Sequence, residues 1–485
     1  MPRPTICATL AEAVAGFQDG STVIIPGFGN TGTPWNLLTA LYEQGATGLT
    51  LVMNSIQSVT NDTRVKGVSD LVDAGRVKKV IASFTAATHP SRISRGEQLV
   101  RDGKMEAELV PQGTLAERIR AGGAGIPAFY TPAGVGTLLS SGKEHREFEG
   151  ETYVLEEGIF ADYALIRAWK ADTTGNLVFR HAGRNYNPIA AMAARHVLVE
   201  VEEPIVEAGE LDPDQIHTPG IYIDRLVPIL PHGVLRVERG ALPTTTPVAA
   251  PAAEMPAAVP GKRRLTRAEI AAVIAQRMQS GWIANLGIGI PTQASDFVDF
   301  NAGITLTSEN GVIGYSRLAQ PGTGDPDIVN AGGQQVNIVP GASFVHHADS
   351  FGLVRSGRLD VTVLGAYEAA ADGSFANWRL SNAPWDNLGG IGGAMDLVAR
   401  AKQIWLAMEH TTRDGKPRLL DRCSLPVTSP RGVTLIVTDI AVISVKGGRF
   451  LLEEHAPGYT AAEIASLTGA PLDVSPVLRE VSVQV

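Results

Sequence analysis

The sequence predicts an α/β fold: two related α/β domains with largely parallel sheets. Three observations carry this. Helical and strand periodicities alternate along the chain, a proline- and alanine-rich stretch interrupts it near the middle, and the part after the interruption echoes the part before.

The alternation begins at once. Thr9 to Asp19 has the spacing of an amphipathic helix, Ser21 to Ile25 reads as a strand, Pro34 to Gln44 as a helix and Leu49 to Met53 as a strand, with Gly or Asn at most junctions. The pattern restarts at Thr266 and Glu269, whose spacing forms a capping box for a helix from Arg267 to Ser280, followed by a strand from Trp282 to Leu286. Between the two runs, Gly240 to Pro260 holds five Pro, seven Ala and three Thr but a single charge, so it can neither join a sheet nor continue a helix. We therefore divide the chain into a domain over 1–239, a linker over 240–260 and a second domain over 261–485, each half long enough to bury its own core. The halves are similar. At an offset of 198, Asp162–Arg180 aligns with Asp360–Trp378, matching Asp162/Asp360, Ala168/Ala366, Ala171/Ala369 and Gly175/Gly373, and DGSTVIIPGFG near one start is echoed by SGWIANLGIG near the other. A ligand site between related domains is the natural expectation.

Composition removes several function classes. The 41 Lys and Arg against 50 Asp and Glu leave a net charge of −9, which opposes nucleic acid as the main partner. Cys7 and Cys423 are too few for a disulfide framework or a multi-cysteine metal site and fit a reducing compartment, so a cytoplasmic location is expected. The first twenty residues include Glu12 and Asp19 and lack the apolar core of a secretory signal, and no stretch approaches the length of a membrane span.

Three glycine clusters follow predicted strands: Pro26 to Pro34, Asn285 to Thr292 and Asn387 to Asp396. Glycine there lets backbone N–H groups approach a ligand. None has the Lys–Ser/Thr of a P-loop or the acidic partner of a dinucleotide fingerprint. The most informative segment is ITLTSENGVIG, Ile304 to Gly314, in which a strand runs into the turn-forming Ser308–Glu309–Asn310–Gly311 and then resumes, displaying the Glu309 carboxylate at a strand end. By pattern alone this is an exposed turn glutamate.

TSENGVIG, together with Pro111–Leu139, Ala161–Pro188, NLGIGIPT and GGAMDLV (Gly392–Val398), resembles the family I CoA-transferases of the 3-oxoacid group, with both subunit types fused in one chain. The resemblance covers nearly all of both halves. It implies that Glu309 is the nucleophile, that Gly392 or Gly393 supplies a backbone donor to an oxyanion, that Asn54 is a polar group of the site and that Gln112 contacts the substrate carboxylate, with Asn310 shaping the turn. The loops at Gly27 and Gly29 and at Gly287 and Gly289 become candidate CoA-binding loops. Coenzyme A arrives as an acyl-CoA substrate, with succinyl-CoA the donor that the resemblance implies. No permanent cofactor and no metal are expected, and His346–His347 reads as structural. With an ordinary pKa of about 4.3, a glutamate is already ionised at neutral pH and needs no general base.

The acceptor is divided between acetoacetate and 3-oxoadipate. VHHADSF (Val345–Phe351) and ELDPDQIHTPGI (Glu210–Ile221) look like the 3-oxoadipate branch, Pro111 to Pro132 like the acetoacetate-using branch, and Ser381–Ile391 lacks the lysine that fused relatives carry. Arg180, Arg184 and Arg355 are candidate partners for a CoA phosphate or an acid. The alternative activity on this scaffold is acyl-CoA hydrolysis. Self-association into a homo-oligomer is expected, as is common for large α/β enzymes.

Overall fold

A computed structural model describes residues 4–56, 64–86, 93–229, 261–382 and 388–483, so the linker at 240–260 and part of the lysine-free segment lie outside the described residues. The first half is organised on an eight-stranded sheet, every pairing parallel, in the order Thr5–Ile6, Arg225–Pro228, Ala194–Val201, Ala161–Ala168, Thr22–Ile25, Leu49–Ser55, Val77–Phe84, Glu106–Leu109. The central strands Thr22–Ile25, Leu49–Ser55 and Ala161–Ala168 are buried with little alternation because both faces are covered. Val23, Ile25, Leu51 and Met53 enter the core on one face, while Ile24, Val52, Ile81 and Ile166 enter the core on the other.

The second half carries a ten-stranded sheet. Its central five strands, Thr305–Thr307, Ile283–Leu286, Val361–Gly365, Gln403–Met408 and Val433–Thr438, are parallel, and antiparallel pairings extend the sheet on both sides. The predicted elements are present with shorter helices. Thr9 caps a helix of only Leu10–Ala13, because Gly16 takes φ +80° and turns the chain. Thr266 and Glu269 form the capping box, but the helix runs only over Arg267–Ala275. The helix Trp35–Gln44 ends as its sequence implies, with Gly45 left-handed and donating to Leu41 O.

The internal repeat is structural as well as textual. Asp162 Oδ2 accepts from the Thr22 N–H (2.9 Å) and Asp360 Oδ2 from the Ile283 N–H (2.8 Å), the first residue of the neighbouring strand in each half. Gly175 and Gly373 both take positive φ, each between the arms of a short hairpin, Lys170–Ala171 with Leu177–Val178 and Glu368–Ala370 with Phe375–Ala376. Replacing Asp162 or Asp360 by Ala removes the acceptor of a partly buried N–H. Each change should lower stability by about 1 kcal/mol, read as a lower midpoint in denaturant unfolding at unchanged slope.

Candidate active site

Parallel strands place their C-terminal ends on one edge, and clefts in open α/β sheets form beyond that edge. The chain beyond these ends in one half meets that of the other. From the strand Val77–Phe84, Ser83 O accepts the N–H groups of Ile391 (3.1 Å) and Gly392 (3.2 Å), and the Thr85 N–H donates to Gly389 O (2.9 Å). The Gln112 N–H donates to Gly392 O (2.8 Å), and the His347 N–H to Asn185 O (3.0 Å).

Glu309 stands in this junction. The strand Thr305–Thr307 turns through Ser308–Gly311 and returns as Val312–Leu318, closed by Ser308 N–H to Val312 O (2.8 Å) and Gly311 N–H to Ser308 O (3.0 Å). Gly311 is required there: its φ is +98°, and a Cβ would sit 1.9 Å from Val345 O. Asn310 Nδ2 donates to Val329 O (2.8 Å), which anchors the turn. Glu309 is thus a fixed, buried carboxylate, only 8% exposed, and the expectation of an ordinary ionised glutamate gives way. Burial first, and the charge of Asp396 second, push its pKa up to about 7.

Asp396, the last residue of the GGAMD motif, is fully buried and accepts from the Gly113 N–H (2.8 Å) and Thr114 Oγ1 (2.9 Å). It therefore caps the N-terminus of the helix Gln112–Gly123 from the other half, where the helix dipole favours a negative charge. Burial raises its pKa to about 6, opposed by the charge of Arg355 and by the bonds from Thr114 and Gly113. Gly393 packs close to Glu309: a Cβ there would come 2.8 Å from Phe351 Cζ and 3.3 Å from Glu309 Cδ. Of the two glycines expected to donate, Gly392 has its N–H committed to Ser83 O, whereas the Gly393 N–H has no acceptor among the described residues.

Asn54 and Gln112 reach the same junction. Gln112 is fully buried, its amide 2.8 Å from His347 Nε2. The Tyr186 hydroxyl donates toward Gln112 O (3.3 Å) and lies 3.5 Å from Asn54 Oδ1, and the Tyr186 ring stacks on His347 with centroids 3.9 Å apart. Asn54 also has a relation to Glu309 that a second alignment of the sequence exposes. Thr22 pairs with Thr50 as Ile283 pairs with Thr305, so GLTLVMN and GITLTSE occupy matching positions and Asn54 is the counterpart of Glu309.

The glycine loops divide by role. Gly27 and Gly287 are demanded by packing, since a Cβ would lie 2.1 Å from Thr33 Oγ1 or 2.9 Å from Leu364 Cδ2. Gly29 and Gly289 take positive φ with open space around them. The first loop reaches the junction through Phe28, whose ring lies 5.8 Å from His347. The three candidate arginines are paired within the protein: Arg180 with Asp325 and Asp327, Arg355 with Glu117, and Arg184 with Phe344 O. Sequence reasoning does not single out Tyr186, His347 or Asp396 as site residues, although each lies in a motif that carries the family resemblance or its branch signals.

Residues 7–228 and 267–467 match the family model described as "Coenzyme A transferase". The mitochondrial succinyl-CoA:3-ketoacid coenzyme A transferase 2A of Mus musculus is 39% identical over 96% of this chain and 89% of its own length. A Bacillus subtilis protein, named as one subunit of a probable succinyl-CoA:3-ketoacid coenzyme A transferase, is 50% identical over 46% of this chain and 89% of its own length. An acyl-CoA transferase apoenzyme from Escherichia coli O157:H7 shares the fold, with a TM-score of 0.75 at 21% identity over 99% of this chain and 95% of that one.

A carboxyl with a folded pKa near 7 against 4.5 when unfolded binds its proton more tightly in the folded state, so its ionisation costs stability as pH rises through that window. Glu309→Gln should therefore be more stable than the parent at pH 8, with the difference closing below about pH 4.5, in unfolding curves taken across that range.

Proposed function

Because the chain belongs to the coenzyme A transferase family, we propose that it moves CoA from succinyl-CoA to a 3-oxo acid with Glu309 as the nucleophile. The observation that carries this is a buried carboxylate, held at a strand end between two sheets, beside a glycine N–H with no partner among the described residues. A Glu309 oxygen attacks the thioester carbonyl, the C–S bond breaks, and an acyl-glutamyl anhydride forms with release of CoA thiolate. The thiolate attacks the glutamyl carbonyl, expelling the donor acid and leaving a glutamyl-CoA thioester. The acceptor acid reverses both steps, so donor product leaves before acceptor enters.

Displacing a thiolate with an ordinary carboxylate runs uphill. Thiol and carboxyl pKa values of about 8.5 and 4.3 set a bias on the order of 6 kcal/mol. A Glu309 pKa of about 7 supports the reading, because burial makes the carboxylate more basic and narrows that gap. Binding of the CoA nucleotide and pantetheine, remote from the reacting carbon, offsets the remainder. The Gly393 N–H and the Asn54 amide are assigned to the developing oxyanion, and Gln112 to the acid carboxylate. Gly29 and Gly289, with Gly27 and Gly287 setting their loops, are assigned to CoA.

The relatives are named for 3-ketoacid transfer, a class that includes both acetoacetate and 3-oxoadipate, and both are acceptors to assay. Hydrolysis is not favoured. As part of the same reading, the enzyme divides at 1–239, 240–260 and 261–485, self-associates, and works in the cytoplasm; the relatives from Mus musculus are named as mitochondrial, and no helix among the described residues is long and apolar enough to cross a membrane.

Incubation with succinyl-CoA and no acceptor should leave a CoA-mass adduct on the peptide containing Glu309. Glu309→Gln should abolish exchange, and undiminished exchange in that variant overturns the assignment. Release of free CoA without any acid acceptor points instead to a hydrolase. Asp396→Asn removes the like charge beside Glu309, so the acid limb of the kcat/KM profile for succinyl-CoA should move to lower pH.

A further inference from the structure

The side chain of His347 has no part in the chemistry described so far. It is fully buried, stacked on Tyr186 and flanked by Phe28 and Phe351, with Nε2 2.8 Å from the Gln112 amide. Two atoms of this pair are buried without a hydrogen-bond partner among the described residues, His347 Nδ1 and Gln112 Oε1. Burial, with His346 adding to it, lowers the His347 pKa to about 3, so the ring is neutral and carries one N–H.

Where that hydrogen sits decides what Gln112 offers. A hydrogen on Nδ1 leaves that donor and Gln112 Oε1 unmet, whereas a hydrogen on Nε2 points at Gln112 and leaves the Nδ1 lone pair and the amide NH2 unmet, an arrangement that an arriving acceptor group completes. An Nε2–H needs an oxygen opposite it. A half-turn of the planar amide exchanges its oxygen and nitrogen in place, so Oε1 accepts from the ring and the amide NH2 takes the position of the unpartnered Oε1. The substrates' reacting groups, a carboxylate and a thioester carbonyl, are acceptors and can meet an NH2 but not an amide oxygen.

We propose that His347 is a positioning residue: its Nε2–H holds Oε1 of Gln112, so that the Gln112 NH2 is presented to the carboxylate of the acid substrate. The proposal rests on the assignment of Gln112 to that carboxylate. It adds the group that selects the competent face of the amide, and it gives the stack of Tyr186 on His347 a purpose, since the stack fixes the ring plane.

The test uses the full chain in two measurements. In the protein labelled with ¹⁵N-histidine, the imidazole nitrogens of His347, assigned with His347→Gln, should report the neutral Nε2–H tautomer from pH 6 to 8; an Nδ1–H tautomer overturns the proposal. In single turnovers, enzyme carrying the glutamyl-CoA adduct is discharged with acetoacetate. His347→Phe keeps a ring against Tyr186 but loses the N–H, and should raise the half-saturating acetoacetate concentration about tenfold without lowering adduct yield. His347→Gln, which restores an N–H near the Nε2 position, should recover most of that loss. In a Gln112→Leu background the same His347→Phe change should have an effect below about twofold, whereas an equal loss in both backgrounds refutes coupling through Gln112. If the parent protein forms no adduct, the function proposed above fails, and the tautomer measurement still stands by itself.

Discussion

The Asp396 carboxylate, carried by one half of the molecule and inserted at the start of a helix in the other, is the constraint on which the site depends. Two oxygens meet the Gly113 N–H and the Thr114 hydroxyl, so three buried polar groups that are costly alone become mutually satisfied. That contact fixes the Gln112–Gly123 helix against the GGAMD turn, and with it the position of Gln112 on one side and Gly393 on the other. Its negative charge also acts on Glu309, so the fastening that assembles the site raises the basicity of the carboxylate within it.

Burial of Glu309 has a second effect. On the proposed mechanism, a glutamyl thioester or anhydride formed in this close-packed junction is shielded from water, which favours transfer between acids over loss to hydrolysis. The packing is tight at the points that matter: Gly393 and Gly113 leave no room for even one methyl group against Phe351. Stability is given up in return, because an ionised carboxylate in that place works against folding.

Much of this is legible in the sequence, for reasons particular residues show. Alternating periodicities, the Thr266–Glu269 cap and the SENG hairpin are local signals, and local chemistry decides them. Helix lengths read too long where apolar spacing continues past a turn, as at Gly16. The antiparallel pairings that extend the larger sheet on both sides of its parallel centre are not foreseeable, since periodicity does not encode which strand lies beside which. Glu309 is identified through a motif, but its burial is not, because what buries it comes from residues far along the chain. Tyr186 and His347 escape notice for the same reason: an Asn-Tyr-Asn and a His-His pair carry no mark of meeting across a domain junction. The relation of Asn54 to Glu309 is present in the text of the two halves and becomes compelling once strand register aligns them.

That relation shows a duplicated scaffold used unequally, with an amide in one half where the other has an acid. A second carboxylate at position 54 would face the same junction as Glu309 and Asp396, and like charges there would leave one of them protonated. The hydrogen bonds that bring the two halves together have a further consequence. On the proposed reading a competent centre needs groups from both, and covalent continuity makes their meeting a first-order event. Enzyme assembled from separate polypeptides loses competent centres as it is diluted, whereas here each molecule retains its own at any concentration.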